Sequence, residues 1–342
     1  MSFDYIQKLP TPDEIRSEFP LTGDLAKIKK ERDKEITDVF TGKSDKFVVI
    51  VGPCSADNED AVCDYVSRLG KLNDKVKDKM ILIPRIYTNK PRTTGEGYKG
   101  ITSQPDPEGK TDFHAGLVAM RHMQIKSIEV SGLTAADEML YPENWGYVSD
   151  ILSYVAIGAR SVEDQEHRMT ASGFDLPAGM KNPTSGTLSV MLNSVYAAQQ
   201  SHSFVYRGYE VRTNGNPLAH CVLRGSSNKQ GHSIPNYHYE DLSLLLQLYN
   251  EREILNPAAI IDANHNNSNK KFKEQIRIVK EVLHSRSLNP EIRSLVKGVM
   301  IESYIEEGNQ KIGEGIYGKS ITDPCLGWND TERLLLEMAE LA

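Results

Sequence analysis

Eight short apolar runs, separated by longer segments, constrain the fold of this chain more than any other feature. Most of the runs are almost continuously apolar, as expected for strands that are buried on both faces of a parallel sheet. The segments between them have helical periodicity, as in EDAVCDYVSRLGKLND (59–74) and EDLSLLLQLYNERE (240–253). The eight runs are FVVIVGPC (47–54), MILIPRIYT (80–88), SIEVSGL (127–133), SYVAIGAR (153–160), LPAGMKN (176–182), AHCVLRG (219–225), AAIIDANH (258–265) and GVMIESYI (298–305).

Eight strands that alternate with helices predict a (β/α)8 barrel, also called a TIM barrel. A length of 342 residues fits either two average domains or one such barrel, and the regular alternation favours the barrel. A doubly wound sheet is the alternative, but no Gly-x-Gly-x-x-Gly motif follows the first run. We expect the barrel to span residues 46–342, after a polar N-terminal arm over residues 1–45.

One interval departs from the plain alternation. The segment SFVYRGYEVRTNGNPLAHCVLRG (203–225) contains an apolar run, the turn sequence NGNP (214–217) and a second apolar run. Asn-Gly pairs between apolar runs are typical of β-hairpin turns. We therefore predict a hairpin inserted before the sixth strand, over residues 203–222.

The composition argues against several classes of protein. The net charge of −7 gives no reason to expect a nucleic-acid partner. No apolar stretch approaches the ~20 residues that cross a bilayer, and the first 20 residues lack the apolar core of a signal peptide. The four cysteines (54, 63, 221 and 325) are too few for a disulfide scaffold. We expect a cytoplasmic protein with no membrane or nucleic-acid partner.

Cationic side chains stand at the ends of most of the predicted strands, and Glu138 follows the third. In a (β/α)8 barrel, catalytic residues come from the C-terminal ends of several strands. A buried cluster of like charge is unfavourable unless an anion fills it, and the arginine fork matches phosphate and carboxylate. Any one of these cations alone would more often be a surface residue. Six in one place indicate one multiply charged substrate or two anionic substrates: Arg85, Lys90, Arg92, Arg160, Lys181 and Arg224.

A second group at the strand ends combines a thiol, an imidazole and two carboxylates: Cys54, His265, Glu302 and Asp323. Mixed sulfur, nitrogen and oxygen ligands suit Mn²⁺, Fe²⁺, Co²⁺ or Zn²⁺ better than Mg²⁺ or Ca²⁺, which prefer oxygen. Taken singly, Cys54 is more often a core residue and His265 more often a satisfied buried imidazole. Their shared position at strand ends favours a site for a divalent transition metal.

Several motifs, taken together, resemble one family. The chain resembles the type I 3-deoxy-D-arabino-heptulosonate 7-phosphate (DAHP) synthases from about residue 5 to its C-terminus. This resemblance implies a (β/α)8 barrel that uses a divalent metal and no organic cofactor. It also implies condensation of phosphoenolpyruvate with erythrose 4-phosphate, with release of phosphate, as the first step of the shikimate pathway of aromatic amino acid biosynthesis. The motifs are GPCS (52–55), NKPRTT (89–94), IGAR (157–160), MKN (180–182), LRG (223–225), DANHNNSNKKF (262–272), MIESYIEEGNQ (300–310) and GKSITDPCLGW (318–328).

The resemblance also assigns roles to individual residues. It places the metal on Cys54, His265, Glu302 and Asp323, with Cys54 and His265 also counted as catalytic. Lys90 would donate a proton to the new hydroxyl group, while the metal polarises the aldehyde. For phosphoenolpyruvate, the implied binding residues are Arg85, Lys90, Glu138, Ala159, Arg160, Lys181 and Arg224. For erythrose 4-phosphate, they are Lys90 to Thr93, with Arg92 on the phosphate group. Asp323 is also implied as a substrate-binding residue.

Regulation and assembly follow from the resemblance as well. Members of this size use an N-terminal extension and the hairpin insert to build a site for Phe, Tyr or Trp and much of the oligomer contact. Both elements are expected here, so we expect a homodimer or homotetramer and feedback regulation by an aromatic amino acid. The corresponding pocket positions hold Asp175 and Tyr206, and the sequence does not name the effector.

Two alternative functions remain. One is 3-deoxy-octulosonate 8-phosphate synthase, which performs the same chemistry on arabinose 5-phosphate; the segment KPRTT (90–94) argues against it. The other is a catalytically inactive barrel that senses metabolites, which would be expected to have lost ligands or cations at the strand ends. None of these residues is missing from the sequence.

Overall fold

A computed structural model describes residues 2–92 and 94–342. Eight of its strands form one parallel sheet, and this sheet is the barrel. The twelve strands of this described part, in chain order, are β1 Phe47–Gly52, β2 Met80–Pro84, β3 Ala136–Glu138, β4 Tyr154–Ile157, β5 Ala178–Lys181, β6 Ser203–Tyr206, β7 Tyr209–Arg212, β8 Ala219–Leu223, β9 Ser226–Ser227, β10 Ser233–Ile234, β11 Ala259–Asp262 and β12 Val296–Glu302.

Ten α-helices and one 3₁₀ turn accompany the strands in the same part of the chain. Seven of the helices follow barrel strands as the alternation predicts. The helices are α1 Pro12–Glu18, α2 Gly23–Phe40, α3 Glu59–Val76, α4 Phe113–Ser131, α5 Gln165–Ala171, α6 Leu188–Ala198, α7 Tyr239–Asn250, α8 Glu274–Leu288, α9 Pro290–Leu295 and α10 Trp328–Leu341, and the 3₁₀ turn is Pro142–Tyr147.

The order of the strands confirms the (β/α)8 barrel. The sheet runs β2-β1-β12-β11-β8-β5-β4-β3, and every neighbouring pair is parallel. A parallel bridge between Arg85 and Ala136 joins its two outer strands, with the Ile86 amide 2.9 Å from the Ala136 carbonyl. The carboxyl ends of all eight strands therefore surround one mouth.

Alternate residues of the strands belong to two separate cores. On β1, Val48 and Ile50 pack in the barrel interior, whereas Val49 and Val51 belong to the core between the barrel and its helices. This is the period of two that a pleated strand imposes. Because both faces are buried, the strands read as continuous apolar runs, which is why the sequence reveals them.

The amino end of the barrel is closed by helix α2. Ile36, Val39 and Phe40 from the last turns of this helix join the interior core. The Phe40 ring lies 4.4 Å from the His220 ring, near the start of β8. The second helix of the N-terminal arm is therefore part of the packing of the barrel interior.

The expected third strand was wrong. Residues 127–131 of the run SIEVSGL (127–133) form the last turn of α4, and Gly132, with φ 68°, caps the helix. The third strand is β3, further along the chain, and Glu138 is its last residue. The run resembles a strand because Ile128, which is buried, and Val130, which is exposed, alternate with Glu129, and apolar spacing in seven residues does not separate a helix from a strand.

The hairpin insert is present, but its turn was placed wrongly. Strands β6 and β7 are antiparallel, and the turn between them is Arg207-Gly208, with φ 52° and 82°. Two-residue turns with positive φ at both positions match the twist of a hairpin. The NGNP segment (214–217) instead leads into β8, so residues 219–222 of the expected insert lie in the sixth barrel strand.

Within residues 2–92 and 94–342, the structure contains no helix long and apolar enough to cross a membrane.

Candidate active site

A cavity of about 460 Å³ opens at the carboxyl ends of the barrel strands. Cys54 and Glu302 are not among the residues that line this cavity, because they are buried, with 0% and 1% of their surface exposed. Thr93 lies outside the described residues. The other site residues expected from the sequence all line the cavity: Arg85, Lys90, Arg92, Glu138, Ala159, Arg160, Lys181, Arg224, His265 and Asp323.

Three of the four expected metal ligands come together in one group. The ligand atoms of Cys54, Glu302 and Asp323 all lie within 4.8 Å of one another. His265 stands beside this group rather than inside it, with its Nε2 atom 3.7 Å from Glu302 Oε1. The four donors thus converge from four separate stretches of the chain.

Strand register brings the first two ligands together. Gly52, the last residue of β1, pairs with Glu302, the last residue of β12. A side chain at Gly52 would place its Cβ 2.3 Å from the Arg85 carbonyl oxygen, so the close approach of β1 and β2 requires glycine there. Cys54 follows Gly52 by two residues, and its Sγ lies within 4.8 Å of a Glu302 carboxylate oxygen.

The carboxylate of Glu302 is fixed by two neighbours. Arg85 donates to Oε1 at 2.9 Å, and Asn264 donates to Oε2 at 2.5 Å. Burial alone would lower the pKa of Arg85, but Glu302 outweighs burial and the pKa is raised above its usual value. The Arg85 guanidinium also lies 3.7 Å from the centre of the Tyr87 ring. The pair is therefore a charged, oriented group in the barrel interior.

Lys90 connects the candidate metal ligands to the cavity. Its Nζ lies 2.6 Å from Cys54 Sγ and 3.7 Å from Asp323 Oδ2. Burial lowers the pKa of Lys90, but Cys54 and Asp323 outweigh it, so the pKa is raised and the ammonium form persists. Burial and Glu302 raise the pKa of the Cys54 thiol, and Lys90 opposes them. At neutral pH a positive charge thus stands between the ligand group and the cavity.

Half of the expected cations have no acidic partner. Arg85, Lys90 and Lys181 each face a carboxylate, and the Lys181–Glu138 distance is 2.9 Å. In the part of the chain that the structure describes, no carboxylate lies within 4.0 Å of the cationic groups of Arg92, Arg160 or Arg224.

Arg224 is the clearest of the unpaired cations. It is 9% exposed, and its buried Nη1 atom has no hydrogen-bond partner among the described residues. Burial lowers the pKa of Arg224, Asp262 opposes burial, and Arg160 lowers the pKa further. Burying a charged guanidinium costs free energy unless an opposite charge or a hydrogen-bond acceptor compensates for the lost water. Its position in the cavity wall indicates an anionic ligand.

The sequence interpretation missed two residues that hold the site together. Asp262 is 1% exposed, and its Oδ2 lies 2.8 Å from His265 Nδ1. Lys270 Nζ lies 3.0 Å from Asp323 Oδ1. Both residues lie in DANHNNSNKKF (262–272). An acid three residues before a candidate histidine ligand was the available signal for Asp262, because ligand histidines commonly contact a carboxylate through their second nitrogen.

The fold and the cavity define an enzyme with a cation-lined site beside a group of residues that could hold a metal. Comparison with known proteins agrees: the model of the "DAHP synthetase I family" matches residues 25–336. The chain therefore belongs to this family of condensing transferases, which confirms the resemblance in the motifs.

Characterised relatives cover nearly the whole chain. The Trp-sensitive phospho-2-dehydro-3-deoxyheptonate aldolase of Enterobacter agglomerans is 36% identical over 98% of this chain and 95% of its own length. The Tyr-sensitive enzyme of Escherichia coli K12 is 36% identical, over 97% and 92% of the two chains, and the Phe-sensitive enzyme is 35% identical over 98% and 94%. A solved structure of phospho-2-dehydro-3-deoxyheptonate aldolase from Francisella tularensis SCHU S4 is 29% identical, with a TM-score of 0.91 over 100% of this chain and 98% of that one.

Proposed function

We propose that this protein condenses phosphoenolpyruvate with erythrose 4-phosphate and one molecule of water, which attacks C2 of phosphoenolpyruvate, to give DAHP and phosphate. The observation that carries the proposal is the cavity beside Cys54, Glu302 and Asp323, which is lined by six cations, three of them without an ion-pair partner among the described residues. The two substrates together bring two phosphate groups and a carboxylate, which match the number and kind of the cations. Family membership and the names of the relatives support the same reaction.

The cations divide between the two substrates. Arg160, Lys181 and Arg224 lie on strands β4, β5 and β8 or just beyond them, and would hold the phosphate and carboxylate of phosphoenolpyruvate. Arg92 uses its Nε to donate to the Tyr98 carbonyl at 2.8 Å, which leaves its terminal nitrogens for the phosphate of the sugar. Fixing two mutually repelling anions side by side lowers the entropic and electrostatic cost of their reaction.

The residues at the ligand group fit a divalent transition metal. Cys54, His265, Glu302 and Asp323 supply one sulfur, one nitrogen and two carboxylates, and three of these donors already lie within 4.8 Å of one another. Such a donor set favours Mn²⁺, Fe²⁺, Co²⁺ or Zn²⁺ over Mg²⁺ and Ca²⁺. When bound, the ion would supply Lewis-acid polarisation of a carbonyl oxygen.

Lys90 is the residue best placed to move a proton. It lines the cavity and contacts Cys54, and Asp323 helps to keep it charged. We propose that its ammonium group donates the proton that the new hydroxyl group of the product needs. Glu138 holds Lys181 at 2.9 Å and orients that cation toward the cavity.

The test is phosphate release by the purified protein with both substrates, before and after removal of metal with a chelator. We expect release only with both substrates present, loss after chelation and recovery on adding Mn²⁺, Co²⁺, Fe²⁺ or Zn²⁺. Arabinose 5-phosphate replaces erythrose 4-phosphate in the control. Faster turnover with arabinose 5-phosphate would favour the octulosonate enzyme, and no turnover with either sugar would favour an inactive sensing barrel.

We further propose that an aromatic amino acid binds beside the hairpin insert. A second cavity, of about 320 Å³, lies between α5 and the strands β6 and β7. Trp145, Phe174 and Phe204 give it aromatic walls, while Asp175 and Arg212 offer opposite charges for an ammonium and a carboxylate. The names of the relatives, which are sensitive to Trp, Tyr or Phe, support this assignment.

Melting curves with Phe, Tyr and Trp test the regulatory site, because a ligand that binds only the folded state raises the melting temperature. We expect one of the three to raise it and to inhibit phosphate release, and Asp175→Ala to remove both effects. An unchanged response in Asp175→Ala would place the effector elsewhere.

We also propose that the chain forms a homodimer or homotetramer through the N-terminal arm and the hairpin. Both elements expose large apolar side chains, which is typical of interaction surfaces. These are Phe3, Tyr5 and Ile6 in the arm and Val205 and Tyr209 in the hairpin. Light scattering on the wild type and on Val205→Asp checks the proposal, and a monomeric wild type would contradict it.

A further inference from the structure

A group of basic residues lies at the amino end of the barrel, opposite the candidate active site. There a cavity of about 200 Å³ is lined by four cations, Lys46, Arg286, Arg293 and Lys297, and by a single acid, Asp45. Lys46 immediately precedes β1, and Lys297 is the second residue of β12. Because Val48 pairs with Gly298 in the sheet, these two lysines begin neighbouring strands.

Arg286, in the last turn of α8, is the buried member of this group. It is 5% exposed, and its Nε atom has no hydrogen-bond partner among the described residues. The guanidinium rests over the Phe47 ring, 4.3 Å from its centre. Stacking uses the flat face of the group, whereas its N–H bonds lie in the guanidinium plane and need acceptors at its edge. No described protein group supplies one.

None of the four cations forms an ion pair with the part of the protein that the structure describes. In residues 2–92 and 94–342, no carboxylate oxygen lies within 4.0 Å of any of them. Burial, reinforced by Arg293, lowers the pKa of Arg286 to about 10, and Asp45 opposes this only in part. Burial also lowers the pKa of Lys297; Asp45 opposes burial, and Arg286 adds to it. The cations of this group therefore lower one another's pKa, and Asp45 offsets their repulsion.

A purely structural role accounts for only part of this arrangement. A cation in the last turn of α8 is favoured by the helix dipole, and its stem can cover the Phe47 ring. Neither effect requires three further cations around the same cavity, and neither provides an acceptor for a buried N–H group. A bound anion would supply both the acceptor and the opposite charge.

We propose that this cavity, which we call the amino-end site, binds a small phosphate-class dianion through Arg286, Arg293, Lys46 and Lys297. Two arginines favour phosphate because the planar fork matches its oxygens. The volume admits inorganic phosphate or a small phosphate monoester. Because the amino-end site shares no lining residue with the candidate active site, it is independent of the proposed reaction.

Calorimetric titration of the full-length protein with inorganic phosphate, and separately with glycerol 3-phosphate, tests the proposal at constant ionic strength. The candidate active site also binds phosphate under the proposed function, at Arg224 and at Arg92, so each variant is measured alone and in an Arg92→Gln/Arg224→Gln background. We expect that background to retain one phosphate-binding site, and the addition of Arg293→Gln to weaken its Kd at least tenfold. The two titrants show whether free phosphate or an ester binds more tightly.

Arg293 and Lys46 are the residues to change first, because both are at least partly exposed and their replacement does not open the core. Lys71→Gln, an exposed cation on α3, is the control for the loss of one charge. The proposal is overturned if Arg92→Gln/Arg224→Gln binds neither titrant. It is equally overturned if Arg293→Gln and Lys46→Gln leave its binding unchanged, or if Lys71→Gln weakens binding as much as they do.

Discussion

Replacing Asp262 by asparagine tests whether this buried acid prepares His265 as a metal ligand. Asp262 contacts His265 Nδ1 through Oδ2 and accepts from the Asn264 amide through Oδ1 at 3.0 Å. Burial raises the pKa of Asp262, but His265, Lys181 and Arg224 outweigh burial and hold the pKa well below its usual range. At neutral pH the group is therefore a carboxylate that offers two acceptors.

Asparagine has the same shape but only one acceptor. If its oxygen keeps the Asn264 amide, its NH₂ group faces His265 Nδ1. The imidazole must then accept at Nδ1 and carry its proton on Nε2, the atom that lies 3.7 Å from Glu302. Loss of such a supporting carboxylate typically weakens metal affinity by about 10- to 100-fold, or about 1.4–2.7 kcal/mol. We expect an effect of that size on Mn²⁺ or Zn²⁺ binding.

Competition with a metal-binding dye measures this affinity, and circular dichroism checks the fold. Asp137→Asn is the matched control, because Asp137 is also a buried strand carboxylate but accepts from Thr88 rather than from a ligand. We expect Asp137→Asn to keep its metal affinity. The argument requires that Asp262→Asn have little further effect in a His265→Ala background. An equal loss of affinity with and without the imidazole would refute it.

Three further predictions concern the same end of the barrel. Lys90→Ala should reduce turnover by about 10²-fold or more, as expected for loss of a proton donor, while metal analysis finds a normal content; near-wild-type turnover would exclude this role. Cys54→Ala should abolish activity and metal binding with the circular dichroism spectrum unchanged, whereas an active Cys54→Ala that still binds metal would show that the thiol is not a ligand. Burial raises the pKa of Asp57 to about 7; the folded state then keeps a proton that the unfolded chain releases above about pH 4, so stability falls as the pH rises from about 4 to 7. Asp57→Asn should therefore be more stable than the wild type in urea at pH 8, by up to about 4 kcal/mol, but not at pH 4, and an equal gain at both pH values would contradict this.

The barrel could be predicted from the sequence because burial on both faces makes its strands almost continuously apolar. The third strand is the exception for a physical reason. β3 has only three residues, and Asp137 and Glu138 are two of them. Asp137 is tolerated inside because its carboxylate accepts from the amide and hydroxyl of Thr88, a contact between residues 49 positions apart. No pattern in the neighbouring sequence predicts a hydrogen-bond partner that is so distant along the chain.

The candidate site was likewise only partly predictable from the sequence. The rule that functional residues follow barrel strands selected the cations that line the cavity, whereas Ala159 came from the family resemblance. The residues that contact His265 and Asp323 could not be predicted by this rule, because those contacts depend on the backbone conformation beyond the strand ends. His265 and Lys270 both adopt positive φ, at 49° and 57°. These turns direct His265 to Asp262 and Lys270 to Asp323, and neither turn contains a glycine that would reveal it.

Helix α2 has a consequence for any attempt to obtain an unregulated enzyme by trimming the N-terminal arm. Removing residues up to 40 would also remove Phe40 from its place against His220 and leave the bottom of the barrel open to water. Burial lowers the pKa of His220 to about 4 in the intact protein. If water reached His220, its pKa would rise, and the imidazole would take up a proton in mildly acidic buffer. A shortened protein should therefore lose solubility and heat resistance before it reveals anything about feedback, and single substitutions in the hairpin cavity are the safer route.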